Sequence, residues 1–82
     1  MAGALGDLEE AIAALGRGDP DSARLAVARA VEADASLFAV ADAVALACAE
    51  LEAEDEVSPQ AWNVLADVCP PELRPAVEFW RR

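Results

Sequence analysis

Apolar positions recur three and four residues apart through most of the chain, and short clusters of Gly, Pro, Asp and Ser interrupt the recurrence. That period is helical, and no alternating run is long enough for a strand. Near the N-terminus Leu8, Ala11, Ile12 and Leu15 share one face. The pattern predicts a helix starting near Gly6-Asp7, with Asp7 as N-cap and Glu9 and Glu10 in a first turn whose dipole favours anions. Gly16-Arg17-Gly18 is a stop signal. Asp19-Pro20 opens a second helix: the aspartate caps it, and the proline occupies a first-turn position that needs no amide hydrogen. Ala23, Ala26, Val27, Ala30 and Val31 form its apolar stripe, Arg24, Arg29 and Glu32 point the other way, and Asp34 marks the exit.

A third helix is predicted from about Ser36, its cap, to Glu52. Leu37, Val40, Ala41, Val44, Cys48 and Leu51 make one stripe, while Phe38, Ala45, Leu46 and Ala49 occupy much of the opposite side. A helix apolar nearly all round is expected to be central, packed on more than one side. Glu50, Glu52, Glu54, Asp55 and Glu56 then read as a fraying helix end and a solvated loop. Ser58-Pro59 restarts a helix with Trp62, Leu65, Ala66 and Cys69 on its apolar face, and Pro70-Pro71 ends it. Pro71-Glu72 opens a last short helix with Leu73, Ala76, Val77 and Trp80 on one face and Pro75 within its first turn. Arg81 and Arg82 fall at its C-terminal end, where positive charge suits the dipole. The predicted fold is all-α: one domain over residues 1–82, a compact bundle of about five short antiparallel helices with a repeat-like hairpin character.

Composition changes this picture in one respect. Apolar residues make up 56% of the 82 positions, yet only two Phe and two Trp are present. Alanine supplies much of the remainder, so close helix contacts with little bulk are expected. Both Trp62 and Trp80 should therefore be substantially buried. A chain this short has a small stability margin, and pairing would enlarge its core. Ala26, Ala30 and Ala33, three and four apart, are one candidate face for a homo-oligomer.

Charge and chemistry narrow the function. A net charge of −10 argues against non-specific binding to nucleic acid or to an anionic membrane surface. It permits a protein partner with a basic surface, or mimicry of a nucleic acid's charge. Histidine is absent, which removes the usual nucleophile pairs and the usual zinc ligand sets. Cys48 and Cys69 lie on apolar faces and read as buried free thiols. No basic residue or long apolar core marks Met1–Gly6 as a signal peptide, and Ala35–Ala49 is too short, and interrupted by Asp42, to span a bilayer. The expected compartment is the cytoplasm. The acidic run lacks the glycine and alternating ligands of a calcium loop. Asp42, a lone carboxylate on an apolar helix, either reaches water or pairs with an arginine such as Arg24 or Arg29. No catalytic, cofactor or metal residues are identified. The candidate partner-binding residues are Asp42, Glu50, Glu52, Glu54, Asp55 and Glu56.

Two resemblances bear on these expectations. Gly18-Asp19-Pro20-Asp21-Ser22-Ala23 followed by Ala30-Val31-Glu32-Ala33-Asp34 resembles the second helix of a tetratricopeptide repeat. Ala61-Trp62 with Leu65-Ala66, then Ala76 and Trp80, is similar to a degenerate second pair. About half of the chain is covered. The spacing between the pairs departs from the 34-residue period, Ala35 stands where the family commonly carries proline, and the first helix has no large aromatic. The resemblance implies protein or peptide binding in a concave groove. Ser36-Leu37 at a helix start resembles the attachment serine of acyl carrier proteins, with Ala35 in place of their acidic residue. The expected function is protein–protein interaction or self-association without catalysis. The alternatives are an acidic inhibitor or nucleic-acid mimic on a basic site, and a carrier protein modified at Ser36.

Overall fold

Capping chemistry sets most helix boundaries in the computed structural model, which describes residues 3–81. Helix α1 spans Gly3–Arg17, α2 Pro20–Ala33, α3 Phe38–Glu54, α4 Pro59–Val68 and α5 Arg74–Trp80. Single 3-10 turns at Ala35–Leu37 and Pro71–Leu73 lead into α3 and α5. Among the described residues there is no strand, and no helix is long and apolar enough to cross a membrane.

Helix α1 starts at Gly3, so Asp7 is not its cap. Asp7 lies inside the helix and, with Glu10, faces Arg29 of α2 at 3.5 and 3.6 Å. A tertiary ion pair has taken the side chain that local chemistry assigned to capping. The exit does follow local chemistry. Gly18 adopts φ 78°, a left-handed conformation that glycine reaches without steric penalty. The amides of Gly18 and Asp19 then donate to the carbonyls of Leu15 and Ala14 at 3.1 and 2.9 Å, the hydrogen-bond pattern of a Schellman cap. Asp19 at once caps α2, accepting from the Ser22 amide at 3.2 Å and the Ser22 hydroxyl at 2.7 Å. Those bonds hold the Asp19 carboxyl below its ordinary pKa.

So short a turn folds α2 back on α1, and this is the most extensive helix contact in the chain. Ala11 and Ala14 of α1 and Ala23, Ala26 and Ala30 of α2 are completely buried. Alanines at these positions let the helix axes approach, while Leu8, Ile12 and Leu15 fill the space beneath. Ala26 and Ala30 are thus interior to one chain and offer no face to a second copy; Ala33 alone of that trio is exposed.

Ser36 does not cap α3. Asp34 accepts from the Ser36 amide at 3.0 Å and the Ser36 hydroxyl at 2.6 Å, so the cap belongs to the 3-10 turn and the helix proper begins at Phe38. The burial of α3 is also one-sided. Val40, Ala43, Val44, Ala47, Cys48 and Leu51 enter the core, whereas Phe38, Ala45, Leu46 and Ala49 are exposed. Helix α3 touches α1, α2 and α4, and among the described residues no further helix covers its exposed side.

Asp55 ends α3 at φ 64°, its amide donating to Leu51 O at 2.9 Å. Ser58 then caps α4 by accepting from the Ala61 amide at 3.1 Å. Pro70-Pro71 closes α4, and α5 returns to α1. Trp62 is buried at 6% exposure; Trp80 is half-buried. The Trp80 indole packs against Gly16, where any Cβ would overlap the ring. Arg81 forms the C-cap of α5; Arg82 lies outside the described residues.

Candidate interaction surface

The interior is chemically quiet. Its buried members are all apolar side chains or cysteines, and among the described residues no buried side-chain nitrogen or oxygen lacks a partner. Cys48 and Cys69 are free thiols. Removal from water pushes both above the ordinary thiol pKa, the direction opposite to that of a reactive nucleophile. No group of three or more His, Cys, Asp or Glu among the described residues is arranged to hold a metal ion.

The acidic run, expected to form one solvated patch, is divided by the helix that carries it. Helix α3 continues through Glu54, so Glu50 and Glu54 share one face and Glu52 points away from them. Glu50 reaches the start of α4, where it accepts from the Ser58 amide at 2.8 Å and the Ser58 hydroxyl at 3.1 Å. It satisfies the N–H that a capping-box glutamate within α4 would otherwise serve. Glu52 faces α2, where Arg24 donates to both its oxygens at 2.7 and 2.9 Å. The paired guanidinium lowers the Glu52 pKa and the carboxylate raises that of Arg24. The local repulsion read from the sequence is therefore partly relieved by a cation 28 residues away. Asp55 and Glu56 border a separate concavity beside Gly16, Trp62 and Trp80. Asp42 is exposed and forms no ion pair among the described residues; of the two sequence expectations, contact with water is the one realised.

What the structure brings together is apolar. Phe38, Asp42, Ala45 and Ala49 recur three and four apart along the outer side of α3. Leu46 and Ala53, one position around, turn toward α4 and border a groove of about 370 Å³ with Ala49, Ala61 and Val64. Glu50, Glu54 and Gln60 supply its polar edges. Phe38 and Leu46 are 66% and 64% exposed, and Val64 is 47% exposed. Leu46 and Val64, this accessible and bordering one groove, mark a contact site more often than isolated surface leucines do.

Sequence reasoning named the Asp42, Glu50 and Glu54 carboxylates but not the apolar residues between them. The available signal is the second apolar face of α3, whose periodicity is equally that of an interior face. Val64 carried no signal, because it falls off the buried stripe of α4. The chain matches no protein-family model, no curated protein and no solved structure.

Proposed function

We propose that this chain is a non-catalytic protein-interaction module whose contact surface is the outer side of α3 together with α4. The observation that carries the reading is that Leu46 and Val64, both exposed, border one apolar groove, with Phe38 exposed two turns earlier on α3. The absence of histidine from the sequence and the raised thiol pKa values leave no activated nucleophile to argue for an enzyme. The tetratricopeptide resemblance, which implies a peptide-binding groove, points the same way. A charge mimic fits less well, since the carboxylates of residues 50–56 spread over several directions instead of forming one face. For a carrier, Ser36 is exposed, but its hydroxyl is already engaged by Asp34.

The test is capture of host proteins by the wild-type chain and by Leu46→Ser/Val64→Ser, with sedimentation of both to detect self-association. The reading expects the variant to keep its helical spectrum and to lose an association that the wild type makes. Identical capture and identical sedimentation for the two proteins would overturn it.

A further inference from the structure

We propose that the groove between α3 and α4 receives a basic amphipathic helix of another protein, an inference that rests on reading this face as a binding surface. Three features select the occupant. The first is backbone chemistry. Both walls are helices, whose backbone groups are largely spent on their own ladders and present no strand edge. An extended peptide laid there would find no sheet edge for its own backbone groups, whereas a helix arrives with them satisfied.

Shape is the second feature. The floor is built from Leu46, Ala49, Ala53, Ala61 and Val64. The alanines let a helix backbone approach closely, and Leu46 and Val64 supply apolar contact between them. From Ala43 to Glu54 the groove follows α3 for about 16 Å, which is about three turns of a helix. A docked helix would use apolar residues at spacings of three and four.

Charge decides between a second copy and a foreign partner. Glu50 and Glu54 edge the groove, Asp42 lies one turn before Leu46, and among the described residues no arginine lines it. Glu50 is committed to Ser58, but Glu54 and Asp42 form no ion pair among the described residues. Two copies meeting here would place carboxylates against carboxylates on chains that each carry a net charge of −10. A helix flanked by arginine or lysine would answer both the rim and the net charge, and the long-range field would speed its approach.

A displayed library of helical peptides about four turns long, with a fixed leucine/alanine stripe and flanks randomised among Arg, Gln and Glu, is selected on the wild-type protein. It is counter-selected on Leu46→Arg. Arginine-flanked sequences are expected to dominate. The best of them should weaken at least about ten-fold when its arginines become glutamate, and should weaken again as salt is raised. Equal enrichment of Gln or Glu flanks would overturn the basic occupant while leaving the surface reading intact. Sedimentation showing that the wild type pairs through Leu46, with no peptide enriched, would replace the occupant by a second copy. Absence of enrichment, together with identical sedimentation and identical host-protein capture for wild type and Leu46→Arg, would remove both the occupant and the surface.

Discussion

The α1–α2 hairpin and the α3–α4 pair use similar residues to different ends. In the hairpin Ala11, Ala14, Ala23, Ala26 and Ala30 face inward, Leu8, Ile12 and Leu15 are sealed, Leu5 and Leu25 are left exposed, and Arg29 bridges the rim to Asp7 and Glu10. In α3–α4 the inner stripe is equally well buried, but the exposed Leu46 and Val64 border one apolar groove together with Ala49, Ala53 and Ala61. An alanine in the hairpin permits close packing that has already happened; Ala49 and Ala53 in α3 permit close packing that has not. The difference separates what folds this chain from what is left over for a partner.

The largest expected effect lies on the buried side of α3. Val44 has no exposure, so Val44→Asp would place a carboxylate among apolar groups with no partner. The whole stability of a domain this small is on the order of 5–10 kcal/mol, and we expect the variant to be unfolded by circular dichroism at room temperature. A native-like melt would show that the inner stripe is not core and would dissolve the contrast between the two sides of α3. Next comes Leu15→Ala in the hairpin, expected to lose about 2–5 kcal/mol in urea denaturation, against less than about 0.5 kcal/mol for Leu46→Ala. Equal losses from the same truncation would mean that both leucines serve the fold.

Gly16→Val probes the back of the hairpin. The new side chain would overlap the Trp80 indole, forcing α5 away from α1. A loss of about 1–3 kcal/mol is expected, with a shift in tryptophan emission; unchanged emission would put Trp80 elsewhere.

The smallest effect is electrostatic. Hydrogen bonds from Ser22 and Ser36 lower the pKa of Asp19 and Asp34, and hydrogen bonds from Arg24 lower that of Glu52. A group whose folded pKa lies below its unfolded value stabilises the fold at neutral pH. That contribution is complete above the unfolded values, about pH 4 to 4.5, and is lost as pH falls through the folded ones. Carboxyl NMR titration should find these three midpoints below the ordinary values for their residue types. Ordinary midpoints would mean that the cap of α2, the cap of the 3-10 turn before α3 and the α2–α3 tie are not formed in solution.

Much of the architecture was legible because it is local. Asp19-Pro20, Ser58-Pro59, Gly18 and Pro70-Pro71 each encode a boundary in a few adjacent residues, and the structure uses all of them. Two of the misreadings originate in partners outside the local segment. Asp7 resembled a cap until Arg29 drew it away, and the acidic run resembled a frayed end until Arg24 and Ser58 engaged two of its members. Ser36 was displaced as a cap by Asp34, two residues earlier, because a 3-10 turn intervenes. Periodicity assigned α3 to the centre of the bundle because it registers how apolar a face is, not whether anything covers it. In an alanine-rich helix an inner face and a docking face look alike. For the same reason the groove itself was not legible: it exists only where Leu46 and Val64 come together from separate helices.

The claim that the outer side of α3 and α4 serves binding and not folding is tested most directly by the melting temperature of Phe38→Ser/Leu46→Ser/Val64→Ser at low protein concentration. The account predicts a midpoint within about 4 °C of the wild type, the shift expected from less than about 1 kcal/mol in a domain of this size. A fall of more than about 10 °C would place these three residues in the core of the fold and contradict it.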